Sequence, residues 1–289
     1  MTTRLIDQNF IDTVSALIKE AAAKHIMPYY KNLQEGQVGY KESELDPVSI
    51  ADREAEIFLR EKLQPLIPDS GFVGEESYAL NRSLLNIFDN SDAYIWVLDP
   101  IDGTNNFVGG QGGFGPMLAL VKDSKVLAGW TYNVIEDKLL TYSDATGIRE
   151  NGRNFDGPVA PCTQPAHGFM GLKISKIPAV LELINHIGVT LERGSDPSIV
   201  CLYKLLKGDL DFLIFYLTFP WDHIMFHPML RDRGFIVKNW YDQDPKFSDW
   251  NRGLLIAKND ETYRKIKTEL VDKMIDLPEL DNLRKKYED

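Results

Sequence analysis

Residues 96–107, WVLDPIDGTNNF, decide how this chain is read. An apolar run ends in two aspartates, Asp99 and Asp102, three positions apart, followed at once by Gly103 and Thr104. Like charges that close repel each other and add nothing evident to folding. Either the stretch is a solvated turn, since Asp, Pro and Gly are turn residues, or a cation lies between the acids. Pro100 fixes its own φ and holds Asp99 extended. The chain is therefore expected to turn immediately, with Asp99, Asp102 and the carbonyl of Ile101 facing one cavity. Gly103, Thr104 and Asn105 are expected to open a helix whose free amides suit a phosphate.

The same design recurs outward from this stretch. Glu75 and Glu76 follow the apolar GFV, Asp222 stands in FPWDH, and a fourth acid, Asp52, stands in DPVSIADREAE. Strand tips and the loops after them are where rigid scaffolds present functional groups. Clustered carboxylates suit a hard divalent cation such as magnesium. Acids for a metal beside amides for a phosphate point to metal-assisted phosphoryl hydrolysis.

Composition narrows the alternatives. The 289 residues carry a formal net charge of -11, with 44% hydrophobic and 26% charged residues. That charge argues against nonspecific binding to nucleic acid or to an anionic membrane surface. The two cysteines, Cys162 and Cys201, predict no disulfide framework and a reducing compartment. Residues 1–10 have no signal-peptide core, and no run approaches the roughly 20 apolar residues that span a bilayer. A cytoplasmic location is expected, with no membrane or nucleic-acid partner.

Periodicity predicts helices over 6–31 and 49–66, the second stopped by Pro65 and Pro68. Short strands are expected over 71–77 and 93–100, a hairpin over 114–134 and a strand over 137–144, and 147–157 reads as turn-rich. Beyond it, strand and helix candidates alternate: 167–174, 177–187, 198–207, 211–216 and 253–257, then a terminal helix over 260–274. No linker or repeat divides the chain, so one layered α/β or α+β domain over 1–289 is expected.

Taken in order, GEES (74–77), WVLDPIDGTNNF (96–107) and PWDH (220–223) resemble the motifs of the inositol monophosphatase family, the lithium-sensitive, magnesium-dependent phosphatases. DPVSIAD (46–52) is similar to the family's upstream segment, with Ser49 where threonine is usual, and Lys41 also has a family counterpart. The match is firm over 41–134 and looser through 256. The resemblance implies a sugar-phosphatase type sandwich of alternating helix and sheet layers, a homodimer, and two to three Mg²⁺ ions. Glu75, Asp99 and the carbonyl of Ile101 would hold the first ion; Asp99, Asp102 and Asp222 would hold the second. Thr104, paired with Asp52, would orient and help deprotonate the attacking water. The amides of Gly103 and Thr104 would hold the phosphate, with Asp222 also facing the substrate.

The implied activity is a Mg²⁺-dependent phosphomonoesterase acting on a small soluble ester: an inositol monophosphate, another sugar phosphate or histidinol phosphate. The alternatives are a 3′(2′),5′-bisphosphate nucleotidase of the same superfamily, or a non-catalytic member acting through protein contacts. The pattern departs on the leaving-group side. Members acting on inositol monophosphate carry a glutamate seven residues before the last aspartate, where this chain has Phe215. Ile224, Met225 and Phe226 replace small residues, and RDRGF (231–235) replaces an acidic-small-glycine run. Four other features are expected to be ordinary: His223 and His227 as packing or surface residues, the glycine run 109–113 as a loop, Cys201 as core, and Glu76 as supporting or exposed. Asp211 is expected to cap a turn.

Overall fold

Each element follows from its apolar spacing. In the first, helix α1 (Gln8–Ala21), Ile11, Val14, Ile18 and Ala21 recur on one buried face, and Asp7 caps the start by accepting from the Phe10 amide. Helix α2 (Ile50–Leu63) buries Ala51, Ala55, Leu59 and Leu63 in the same way, and Pro65 lies in the short turn that ends it. This computed structural model describes residues 6–40, 47–90, 92–155 and 161–285; Lys41 and Asp46 lie outside them.

The chain forms two compact units. The first comprises Met1–Phe155, Pro197–Val200 and Pro220–Met229. It contains a small ladder of β1 (Val38–Tyr40) and β2 (Pro47–Ser49), and a seven-stranded sheet in the order β3-β4-β5-β6-β7-β8-β9. Those strands are β3 (Gly71–Gly74), β4 (Ile95–Asp102), β5 (Gly115–Lys122), β6 (Lys125–Asn133), β7 (Lys138–Ser143), β8 (Gly147–Glu150) and β9 (Arg153–Asn154). Only β3 and β4 pair in parallel; every later neighbour is antiparallel. Short helices α3 (Glu75–Leu80), α4 (Ile87–Asn90) and α5 (Thr104–Val108) interrupt the strands.

The predicted hairpin over 114–134 forms, turning at Asp123 and Ser124, whose φ values of 51 and 56 fit a tight type I′ connection. The stretch 147–157, expected to be only turns, instead adds β8 and β9, joined through Asn151-Gly152 with φ 49 and 77. Turn residues at such spacing are the joints of hairpins as well as of loops, and here the strands between them are short. Trp96, Leu98, Leu118 and Trp130 of the sheet form one core with the buried faces of α1 and α2. The Trp130 indole N–H donates to the Ile11 carbonyl at 3.3 Å, which ties α1 to that core.

The second unit comprises Asp156–Asp196, Cys201–Phe219 and Leu230–Asp289. Its sheet runs β11-β10-β12-β14-β13, built from β10 (His167–Gly171), β11 (Thr190–Gly194), β12 (Phe212–Phe215), β13 (Ile236–Lys238) and β14 (Leu254–Ala257). Around it lie helices α6 (Leu172–Ser175) and α7 (Pro178–Ile184), most of α8 (Ser198–Lys207), and the C-terminal helical segments Asp260–Ile266 and Pro278–Lys285. Met170, Phe212, Ile214 and Leu255 meet Tyr263, Ile266 and Leu270 in its core. Edge strand β11, unforeseen in the sequence, is half exposed and carries Glu192 and Arg193, so it lacks an apolar run. Sheets covered by helices in both units place the chain in the expected layered α/β class.

Candidate active site

The acids expected to serve the site, Asp52, Glu75, Asp99, Asp102 and Asp222, all lie in the first unit, and β4 is central to them. β4 is buried along its whole length. It does not turn at Pro100 as expected but continues to Asp102, with a register shift between Asp99, opposite Met117, and Asp102, opposite Gly115. Proline is tolerated at such a bulge because it has no N–H to give the ladder. The bulge matters chemically. Residues three apart on a regular strand point to opposite faces, yet carboxylate oxygens of Asp99, Asp102 and Asp222 come within 4.8 Å of one another. The Ile101 amide donates to Asp99 Oδ1 at 2.9 Å, which helps fix the Asp99 carboxylate.

Asp222 arrives on the short helix Pro220–His223. Its neighbour Trp221 is buried against Tyr78, ring centroids 5.0 Å apart. Met225 fills the space over Gly129 that a Cβ there would need, which accounts for one of the large residues after this motif. Asp102 accepts N–H donors from Ser198 at 3.1 Å and Ile199 at 2.6 Å, at the start of α8. Its pKa is pushed up to about 7, chiefly by burial, with those two amides opposing the rise and the charge of Glu75 adding to it.

Asp52 sits at the third position of α2 and is buried. One oxygen, Oδ2, accepts from the Ser49 amide at 2.7 Å and the Ser49 hydroxyl at 2.6 Å. The Ser49 hydroxyl oxygen in turn accepts from the Ala51 amide at 3.2 Å, which caps the start of α2. The other oxygen, Oδ1, lies 3.2 Å from the Thr104 hydroxyl, which also lies 3.0 Å from the Ile101 carbonyl. The predicted Asp52–Thr104 pair is therefore present. Gly103 precedes α5 with φ 88, a left-handed conformation that favours glycine.

Glu75 opens α3, and Glu76 beside it is buried, with Arg53 at 3.9 Å. Sequence reading missed Glu56, which is 3% exposed and accepts from the Glu76 amide at 2.9 Å and the Ser77 amide at 2.8 Å. Burial pushes its pKa up against the Ser77 and Glu76 donors, with the charge of Glu75 adding to the rise. A signal for it existed: an acid on the apolar face of α2, four residues after Asp52. The Ser198 and Ile199 amides, also missed, had no side-chain signal.

Other flagged residues have ordinary surroundings. His223 is buried edge-on to Phe226 with ring centroids 5.5 Å apart, and Cys201 is core. In the glycine run, Gly110 and Gly112 carbonyls accept from Tyr30 and Asn106 at 3.0 Å each. In the second unit Phe215 ends β12 beside Phe169, ring centroids 6.2 Å apart. Asp211 does more than cap a turn: it is buried with Lys258 at 2.9 Å.

Fold and site together define a layered α/β protein with a buried carboxylate cluster beside a threonine–aspartate pair. The family model described as "Inositol monophosphatase family" matches residues 7–274, and the chain belongs to that family. It is 33% identical over 140 residues to an inositol-1-monophosphatase of Rhizobium meliloti (strain 1021), covering 48% of this chain and 49% of that one. It is 26% identical over 199 residues to a fructose-1,6-bisphosphatase/inositol-1-monophosphatase of Aquifex aeolicus (strain VF5), covering 67% and 72%. The chain thus spans about half the length of the first of these relatives. A Thermotoga maritima IMPase structure superposes with TM-score 0.75 at 20% identity, over 93% of this chain and 98% of that one. Among the described residues no helix is long and apolar enough to cross a membrane.

Proposed function

We propose that this chain is a Mg²⁺-dependent phosphomonoesterase acting on a small phosphate ester. The observation that carries the reading is the convergence of Asp99, Asp102 and Asp222 oxygens within 4.8 Å, next to the Thr104–Asp52 pair. The donor set fits a hard divalent cation: Asp99, Asp102 and Asp222 offer carboxylate oxygens, and the burial that raises Asp102 penalises its charge until a cation offsets it. Asp99, Asp102 and Asp222 would hold such ions together with Glu75 and the Ile101 carbonyl. When bound, magnesium lowers the pKa of a coordinated water and neutralises charge on phosphoryl oxygens.

The chain's own groups supply the rest. With its hydrogen directed to Asp52 Oδ1, the Thr104 hydroxyl presents lone pairs that accept a hydrogen from the attacking water. Asp52 then receives the proton through Thr104. Its Oδ2 is engaged by Ser49, so only Oδ1 is aimed at that task. The amides of Gly103 and Thr104 hold the phosphate.

The named relatives support a small sugar or polyol phosphate as substrate, since one is an inositol-1-monophosphatase and the other a fructose-1,6-bisphosphatase/inositol-1-monophosphatase. Phe215 argues against strong recognition of inositol itself, because an apolar side chain accepts no hydrogen bonds from ring hydroxyls. The test is a phosphate-release screen with and without Mg²⁺, across inositol 1-phosphate, histidinol phosphate and fructose 1,6-bisphosphate. Metal-dependent release from at least one ester is expected. No release from any of them at millimolar Mg²⁺ contradicts the reading.

A further inference from the structure

Helix α2 carries a second acid one turn beyond Asp52, and its surroundings are built with unusual economy. Both oxygens of Glu56 point at the start of α3: Oε2 accepts the Glu76 amide at 2.9 Å and Oε1 the Ser77 amide at 2.8 Å. The Ser77 hydroxyl donates to the same Oε1. First-turn amides of a helix have no partner within the helix. The residue before α3 is Gly74, which has no side chain to cap them. Glu56, from a different helix, does that work.

Gly74 fits the same account. Its φ of -113 is ordinary extended backbone, so no special conformation requires glycine there. A Cβ at Gly74 would instead overlap the Glu56 carboxylate. In the stretch GEES, Gly74 makes room for Glu56, Glu76 offers it an N–H, and Ser77 offers an N–H and an O–H. Glu75, between Gly74 and Glu76 in the same stretch, is the residue of the four expected to hold a cation.

We infer that Glu56 is a positioning residue that fixes the start of α3 and so sets where Glu75 presents its carboxylate to the metal. This rests on the reading of Glu75 as a metal ligand in the proposed function. Helix α2 then holds two parts of the site through acids four residues apart: Thr104 through Asp52 and Glu75 through Glu56. Groups that orient a metal ligand typically change metal affinity by roughly 10–100-fold when removed.

The experiment measures Mg²⁺ binding to the full chain by calorimetry, Mg²⁺ activation of phosphate release, and the melting temperature without metal. Glu56→Gln keeps the side-chain volume but turns one acceptor into a donor facing an N–H. It is expected to weaken Mg²⁺ binding by about tenfold or more and to raise the half-activating Mg²⁺ concentration in parallel. The kcat at saturating Mg²⁺ is expected to stay within about threefold of wild type, because no reacting group is lost. A smaller shift in the same direction is expected for Ser77→Ala, which removes one donor and serves as the decisive variant if Glu56→Gln does not fold. A folded Glu56→Gln or Ser77→Ala protein with wild-type Mg²⁺ affinity overturns the inference, as does a lowered melting temperature with unchanged Mg²⁺ affinity. Weakened Mg²⁺ binding in a protein that hydrolyses no ester leaves the inference standing and sinks the phosphatase reading instead.

Discussion

Asp102 in the first unit and Asp211 in the second are both buried aspartates, and they are treated in opposite ways. Asp211 meets a buried ammonium, Lys258 at 2.9 Å, and accepts from His167 and Thr163 amides at 2.9 and 3.0 Å. Burial alone would raise its pKa, but these donors hold it below the usual aspartate value. Asp102 receives two backbone amides, and burial still pushes it up to about 7, with Glu75 adding to the rise. One acid is neutralised by the fold itself. The other is assembled with Asp99 and Asp222 where a cation from solution would relieve it. Both side chains are buried; one meets its counter-charge within the fold, and the other stands where, in the proposed function, a cation would supply it.

Breaking the metal side should have the largest effect. Asp99→Asn keeps the oxygen that accepts the Ile101 amide but removes a charge from the cluster. Phosphate release at saturating Mg²⁺ is expected to fall to background, and turnover near wild type would remove Asp99 from the site. On the other side of the comparison, Asp211→Asn leaves the Lys258 charge buried without its partner. A loss of about 3–5 kcal/mol in chemical denaturation is expected. The sign with pH follows from the lowered pKa: the Asp211 contribution is complete above the unfolded value near 3.8 and is lost as pH falls through the folded value. The gap between wild type and Asp211→Asn should therefore narrow on acidification; a constant gap from pH 7 to pH 3 contradicts the pairing.

Thr104→Ala sharpens the division between holding metal and moving a proton. It is expected to lower kcat by about 10²–10⁴-fold with Mg²⁺ affinity nearly unchanged. An equal fall in metal affinity would make Thr104 a structural residue. The smallest effect is expected at Phe215. Phe215→Glu should raise kcat/KM for inositol 1-phosphate relative to fructose 1,6-bisphosphate by about tenfold, through acceptors offered to ring hydroxyls. A wild-type preference for inositol 1-phosphate that the substitution leaves untouched would remove Phe215 from substrate choice.

The sequence carried the acids, their order and both long helices, because apolar spacing and strand-tip acids are local signals. It did not carry the bulge in β4. Asp99 and Asp102 have an odd separation that a regular strand would split between faces, and only pairing with β5 shows how they converge. Strand β11 escaped notice because an edge strand needs no apolar run. The roles of Ser198 and Ile199 are played by backbone N–H groups, which every non-proline residue has. Glu56 was legible in principle, as an acid within a buried stripe, but its partners lie about 20 residues away.

The central claim is that the cluster of Asp99, Asp102 and Asp222 is completed by a divalent cation. Melting temperature as a function of Mg²⁺ tests it directly, since a ligand that binds only the folded state stabilises it progressively with concentration. The wild-type melting temperature is expected to climb steadily as Mg²⁺ is raised from the metal-free state. Asp99→Asn is expected to start at or above the wild-type metal-free value, with less mutual repulsion, and to stay there. A wild-type melting temperature unmoved by millimolar Mg²⁺, or a variant that climbs as far as wild type, would contradict the account.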